Sequence, residues 1–521
     1  MSIAQGPAEA ARHPYQWWEY RWAVLAFVLV SAIPLLWPDV PPIVDLPGHM
    51  GRYRVQLDLA NSPELQRYYV FHWALIGNLG VDLIVQALGP IFGVEPVVKM
   101  VAISIPMLTA AGLLWVAREV HGRVPPTALF ALPFAFNYPF LFGFINFALA
   151  MALALLAFAL WLRLGRQERW GLRIALFIPI SCVIWVCHAF GWGTLCLLAF
   201  SAELVRRYDQ SGKFFLSGWR TGLHCLALAL PFALMMLWRS NAGGETFDWF
   251  NWDAKFDWLR MALRDRWEQF DQVSLVIVIF LLLWVPVSRK LNFSRNLLAS
   301  TLFLLAVFLL LPRVVFGSAY ADMRMAPYIF MIAIIAIRVR EDHLKLARLL
   351  AMAGLAFFTV RTIGTTVSLT LYDERYDREL AALEHIPVGA PVVSFVGRPC
   401  REPWAMSRLF HLPAMATVRN LAFSNDQWTM AGAQLLDINY PAGGKFVRDP
   451  YQIVTENRCS GQFWYTIDQA LAEFPRDGYD YVWLIDPPNY DPRLTAGLTA
   501  VWRDGTSVLY RVDRGEPAPQ P

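Results

Sequence analysis

The chain has 521 residues, of which 56% are hydrophobic and only 17% charged, and its mean hydropathy is +0.39. A water-soluble chain of this length would be wetter, so the composition excludes an ordinary soluble enzyme and predicts an integral membrane protein. The formal charge of +4 is small for the length, so what matters is where the charges sit.

In chain order, apolar runs predict eleven crossings, at 22–38, 97–117, 124–137, 143–162, 172–187, 190–204, 223–238, 272–288, 297–312, 326–338 and 347–370. The first is followed by prolines and acids rather than a small-residue cleavage site, so it reads as an uncleaved span. The runs 124–162 and 172–204 are each too long for one helix. "NYPF" and "HAFGWG" break them, which reads as tight turns between paired spans. One long tilted helix per run would change the count but not the face that carries the loops. The connectors 118–123, 163–173, 205–222, 289–296 and 338–348 hold seventeen Lys or Arg against five acids. The long loops 39–96 and 239–271 carry an excess of acids. By the positive-inside rule the connectors are cytoplasmic, which puts the amino terminus inside. The loops 39–96, 239–271 and 313–325 and the tail then face outward from a cytoplasmic (inner) membrane.

Beyond residue 370 the apolar runs shorten to "PVVSF" (391–395), "YDYVWLID" (479–486) and "SVLYRV" (507–512), separated by Pro, Gly and Asp. The expectation is a mainly α, polytopic helix bundle over residues 1–370. A small α/β or α+β extracytoplasmic domain follows over 371–521, with helices near 374–385 and 465–474. Cys182, Cys187, Cys196 and Cys225 lie in apolar stretches and read as packed thiols. Cys400 and Cys459 fall in the polar tail and are able to pair if it is extracytoplasmic.

Chemistry-bearing residues gather in the outward segments. "PPIVDLPGHMGRY" (41–53) sets Asp45, His49 and Arg52 directly after the first span, with Arg54 next to it. An aspartate here either caps a turn or serves as a base held rigid by Pro41, Pro42 and Pro47. His49 either shares its proton traffic or is an interfacial histidine. Arg52 and Arg54, two apart, do not share a helix face; one is a candidate for a lipid phosphate and the other for Asp58. The apolar stretch 70–93 carries His72, Asn78 and Asp82 and several glycines. It reads as an interfacial segment rather than a crossing, with Asp82 either a second site acid or a solvated residue. "LPRVVFGSAYADMRMAP" (311–327) offers Arg313, Asp322 and Arg324, either as phosphate ligands or as arginines snorkelling to headgroups. Residues 239–271 read as one or two amphipathic surface helices. Asn137 and His188, at outward turns, are candidates for lining the same cavity.

"PPIVDLPGHMGRY" and "WALIGNLGVDLI" resemble the DxPNH-x-xR and PNLxxD patterns of bacterial multispan proteins placed in the GT-C superfamily of membrane glycosyltransferases. "ADMR" (321–324) is similar to an acid-and-arginine patch those proteins carry before a late span. Two departures stand out: Gly48 occupies the pattern's asparagine position, and no second acid sits beside Asp45. The resemblance implies transfer of a sugar from a polyprenyl-phosphate carrier to a glycan, lipid or protein acceptor at the outer face, with inversion. It implies Asp45 as catalytic base and Arg324 or Arg313 as phosphate ligands, with Arg52 a further candidate from its position. No cofactor is expected beyond the lipid-linked donor. A divalent metal would have only Asp45, Asp82 and His49 near enough in sequence to hold it. No P-loop or dinucleotide fingerprint occurs, and no basic stripe suggests nucleic acid. A transporter or lipid flippase, or a non-catalytic assembly protein, remains a competing class.

Overall fold

Each of the eleven predicted crossings overlaps helical structure in the computed structural model, which describes residues 14–237, 244–340, 342–429 and 434–514, but fewer of those helices have the length to cross a bilayer. Six helices are long and apolar enough to cross a bilayer: Val94–His121, Ile145–Arg166, Trp170–Cys187, Ala189–Ser211, Glu268–Val287 and Leu344–His385. The pair Phe214–Leu228 and Leu230–Met236, bent by 63°, makes a seventh if it is one span. Arg21–Leu35, Pro126–Phe142, Arg295–Leu310 and Met323–Ile335 are apolar but shorter. The protein is therefore a multi-pass helical membrane protein. Pro126–Phe136 is wound as a 3-10 helix with every side chain buried. A helix that is apolar all round belongs in the interior of the bundle rather than against lipid.

The basic connectors and the segments expected to face outward gather at opposite ends. At the basic end, strands Leu291–Phe293 and Ile337–Val339 pair, Arg166 meets Glu119 at 2.6 Å, and Arg295 meets Asp209 at 2.6 Å. At the other end lie the 39–96 segment, the described part of 239–271, residues 313–325 and the tail. Residues 239–243, the last residue of the 223–238 stretch and residues 1–13 lie outside the described residues.

Helix Leu344–Leu380, 37 residues, joins the two ends. Its length of about 55 Å exceeds a hydrocarbon core of about 30 Å, so its polar last turns stand clear of the membrane. The division expected at 370/371 falls inside this helix. Beyond it, strands Leu498–Asp504, Ser507–Val512, Tyr481–Ile485, Pro391–Gly397, Ile453–Thr455 and Tyr465–Thr466 form one mixed sheet in that order, with Phe423–Ser424 beside Pro391–Gly397. The three sequence strands are present. The helix expected at 465–474 is Ile467–Glu473, started by the Thr466 and Gln469 capping box.

The tail does not fold apart from the first outer segment. Strand Tyr69–Phe71 pairs antiparallel with Leu436–Ile438, and Val55, Leu65, Tyr68 and Tyr69 share a hydrophobic core with the sheet. Helix Gly80–Phe92 has 13 residues. At about 20 Å it is too short to cross alone, in line with an interfacial reading of 70–93.

Candidate functional site

A cavity of about 430 Å³ opens at the end that carries the tail, between helix starts and the tail. Asp45 forms part of its floor. It is the residue before helix Leu46–Asp58, and its carboxylate caps nothing. Its backbone N–H donates to Phe142 O at 3.0 Å, and that of Val44 donates to Leu141 O at 3.1 Å. The five-residue helix Tyr138–Phe142 is started by Asn137, whose side chain accepts from Phe140 N at 3.1 Å. It ends at Gly143, with φ at +119°. A Cβ on Gly143 would lie 2.6 Å from both Cβ and N of Asp45, so only glycine lets the turn press against the acid. Asn137 thus acts as the cap behind this floor and does not itself line the cavity.

Arg324 forms one wall. The neighbouring acid, Asp322, caps Met323 N at 2.9 Å and faces Lys255 Nζ at 3.3 Å. The same ammonium donates to Phe308 O and Leu311 O at 2.8 Å each. With Asp322 neutralised by Lys255, Arg324 is left facing the cavity. Among the described residues its NH groups reach only Ser318 Oγ at 3.5 Å and its Nε has no partner, and it lies 4.1 Å over the Phe144 ring. Among the described residues no carboxylate forms an ion pair with it.

The tail supplies the roof: Arg398, Glu402, Phe410, His411, Trp428, Asp449 and Trp464. Cys400 and Cys459 are disulfide-bonded and join the two roof segments. The 239–271 segment holds the roof down. Arg264 donates to Trp404 O at 2.8 Å and Pro403 O at 2.9 Å, and Arg408 pairs with Asp265 and Pro42 O. From the long helix, Tyr372 and Tyr376 donate to Met406 O at 2.9 Å and Arg408 O at 2.5 Å. Gly48 explains its own departure from asparagine. A Cβ there would meet the Trp428 ring at 2.7 Å and His411 Cβ at 3.2 Å, so the roof could not sit on the helix.

His411 brings Nε2 to 3.9 Å from Asp45 Oδ1. Burial pushes the Asp45 carboxyl up to about 7, the Asp449 carboxylate adding to the rise and His411 and Arg324 opposing it. Burial disfavours charge on His411, yet Asp426, Asp45 and Asp449 outweigh it and raise the imidazole to about 9. His49, also lining the cavity, is held neutral by burial and by the cations Arg52 and His411.

The structure places Asp45, His49, Asn78, His188 and Arg324 around one cavity and sets the other candidates elsewhere. Arg52 makes a two-pronged contact with Asp82, Nη2 to Oδ2 at 3.3 Å, and both are buried. Asn146 adds a bond to Asp82 at 3.1 Å. Arg52 is therefore committed to a carboxylate, and Asp82 is neither a solvated residue nor a cavity acid. The trio Asp45, Asp82 and His49 does not converge. Among the described residues, no group of three or more His, Cys, Asp or Glu is arranged to hold a metal ion. Arg54 bonds Asp58 at 2.6 Å and Val418 O at 2.9 Å, as the four-residue spacing suggested. Arg313 lies behind Tyr320, 3.6 Å from Asp248. His72 is exposed, outside the cavity. His188 lines it, its Nδ1 accepting from Phe190 N at 3.1 Å. Sequence reasoning missed the roof residues, His411 above all, because nothing local marks "RLFHLP" as part of a site.

No family model matches this sequence, and no curated protein does. Among solved structures, the chain is similar to the crystal structure of ArnT from Cupriavidus metallidurans bound to undecaprenyl phosphate. The identity is 12%, the TM-score 0.48, and the match covers 95% of this chain and 98% of that one. A likeness of that size leaves the chemistry to be read from the cavity itself.

Proposed function

We propose that the protein transfers a sugar from a polyprenyl-phosphate carrier to an acceptor hydroxyl at the outer face of a cytoplasmic membrane, with inversion. The observation that carries this reading is the placing of an ionisable Asp45 and a buried Arg324 around one cavity, with no carboxylate among the described residues in ion-pair contact with that arginine. A guanidinium outside any ion-pair contact suits a phosphate, and a rigid carboxyl pushed up to about 7 by burial suits a base. The carrier's phosphate sits on Arg324, its sugar under the roof, and its polyprenyl tail runs among the apolar helices. The acceptor oxygen attacks the anomeric carbon, its proton passes to Asp45, and polyprenyl phosphate leaves. The arginine charge stabilises the departing phosphate. The sequence resemblance to GT-C enzymes points the same way. The basic connectors at the opposite end and the roof disulfide support an outward-facing cavity.

The test is Asp45→Asn in a correctly inserted protein, with consumption of a labelled polyprenyl-phosphate sugar as readout. Transfer is expected to fall by about 10²-fold or more. Full transfer in the variant would remove Asp45 as base. Lipid or solute movement without transfer would put a transporter in its place. Because the base works ionised, the wild-type rate rises with pH through about 7.

A further inference from the structure

We propose that His411, delivered by the tail, is the charge partner of Asp45: a fixed imidazolium that keeps the base ionised in a buried cavity and aims it at the acceptor. This inference rests on the transferase reading above. His411 Nδ1 lies 3.0 Å from the Asp426 carbonyl oxygen, to which Nδ1–H donates. That bond fixes the ring and turns Nε2 towards Asp45 Oδ1, 3.9 Å away. The rings of Trp428 and His411 meet edge to face at 4.7 Å, which restrains the imidazole further.

The charge on the ring follows from the carboxylate that stands behind it. Asp426 is fully buried, with one carboxylate oxygen accepting from Ser424 Oγ at 2.6 Å. Its other oxygen, Oδ2, makes no hydrogen bond and lies 3.5 Å from His411 Nδ1. A buried carboxylate needs a countercharge, and among the described residues His411 is the one that forms an ion pair with it. The imidazolium therefore sits between two carboxylates, one structural and one facing the cavity.

The remaining charged groups around the pair explain why the reaction needs this cation. Arg324 supports the Asp45 carboxylate from the opposite wall, Asp449 opposes it, and His49 is neutral. A donor phosphate bound to Arg324 cancels that arginine's support when the base must accept a proton. Arg398, the other cation lining the cavity, is paired with Glu402 at 3.1 Å, so among the described residues His411 is the cation left acting on Asp45. During transfer the acceptor O–H bond breaks, its oxygen bonds to the anomeric carbon, and the carbon–phosphate oxygen bond breaks with its electron pair. The proton ends on Asp45, and the imidazolium neither gains nor loses one. His411 is thus a positioning residue acting through Asp45.

The experiment compares pH–rate profiles of the full-length protein and His411→Gln, using labelled polyprenyl-phosphate sugar. Losing a cation that favours the carboxylate raises the Asp45 pKa, so the acid limb is expected to move up by about one pH unit. The deficit is then about tenfold at pH near 6 and closes towards pH 9, where the wild-type imidazolium itself discharges. Asp426→Asn should move the limb the same way by less. An unmoved limb, at full rate or at a uniformly lower one, would overturn the proposal. Transfer surviving in Asp45→Asn would instead sink the base assignment and leave a different reading to be found. A second measurement needs no turnover: NMR of histidine-labelled protein should show one imidazolium still charged at pH 8 that is absent from His411→Gln. A neutral His411 at that pH would overturn the proposal whatever the rates.

Discussion

Arg52 and Arg324 are buried to similar depth, 3% and 7% exposed, and both lie at the end that carries the tail. They differ in what faces them. Arg52 is gripped by Asp82, itself held by Asn146, so its charge is spent within the fold. Arg324 has lost its sequence neighbour Asp322 to Lys255 and looks into a cavity through one hydroxyl and an aromatic face. Burial of a cation alone therefore does not mark a ligand site. Burial without an ion-pair partner does, because such a charge is costly until something anionic makes contact with it.

The largest expected effect tests the first half of that contrast. Asp82→Ala leaves Arg52 charged and unpaired in the interior and should destabilise the protein by about 3–5 kcal/mol. Thermal unfolding in detergent or nanodiscs reads this directly. A wild-type melting temperature would mean that Arg52 is free to serve a ligand. Arg324→Ala should do the opposite, keeping or raising the melting temperature while weakening polyprenyl-phosphate binding. A hydrogen-bonded charge contributes about 1.5–3 kcal/mol, or roughly ten- to a hundred-fold in affinity. Equal affinity in the variant would take Arg324 out of the phosphate site.

Gly143→Ala probes the floor. The new Cβ meets Asp45 at 2.6 Å, in a backbone region strained for any L side chain. A cost of about 1–3 kcal/mol is expected, with turnover falling more than carrier affinity as the carboxylate is displaced. Unchanged turnover would show that the position of Asp45 is not critical.

Much of the scaffold was legible because hydrophobic runs and basic connectors are local signals. Asp45 was legible for a related reason: three prolines and a span exit surround it within a few residues. The contrast between Arg52 and Arg324 was not, since each shares its segment with acids and only packing decides which acid pairs with which cation. The roof was hidden more deeply. Arg408 meets Pro42 across 366 residues, and no periodicity in the tail announces that its loops close over the first outer segment. Gly48 held a clue, because a glycine at a helix start packed under the tail implies a close neighbour, but the neighbours Trp428 and His411 could not be named from the chain.

The smallest effect separates cavity from rim. Arg313 and Arg324 sit in one outward segment and looked equivalent in the sequence. Arg313, though, stands behind Tyr320, partly exposed, with Asp248 at 3.6 Å and the rings of Trp258 and Tyr320 at 5.8 and 5.5 Å. A loose ion pair in contact with water contributes about 0.2–1 kcal/mol. Arg313→Ala should therefore barely move the melting temperature and leave polyprenyl-phosphate affinity within about twofold, an effect that salt would blur further. A tenfold loss of affinity, equal to that of Arg324→Ala, would put the phosphate on the rim rather than in the cavity. Asp45 would then face the sugar from the wrong side, and the contrast between paired and unpaired arginines would no longer identify the site.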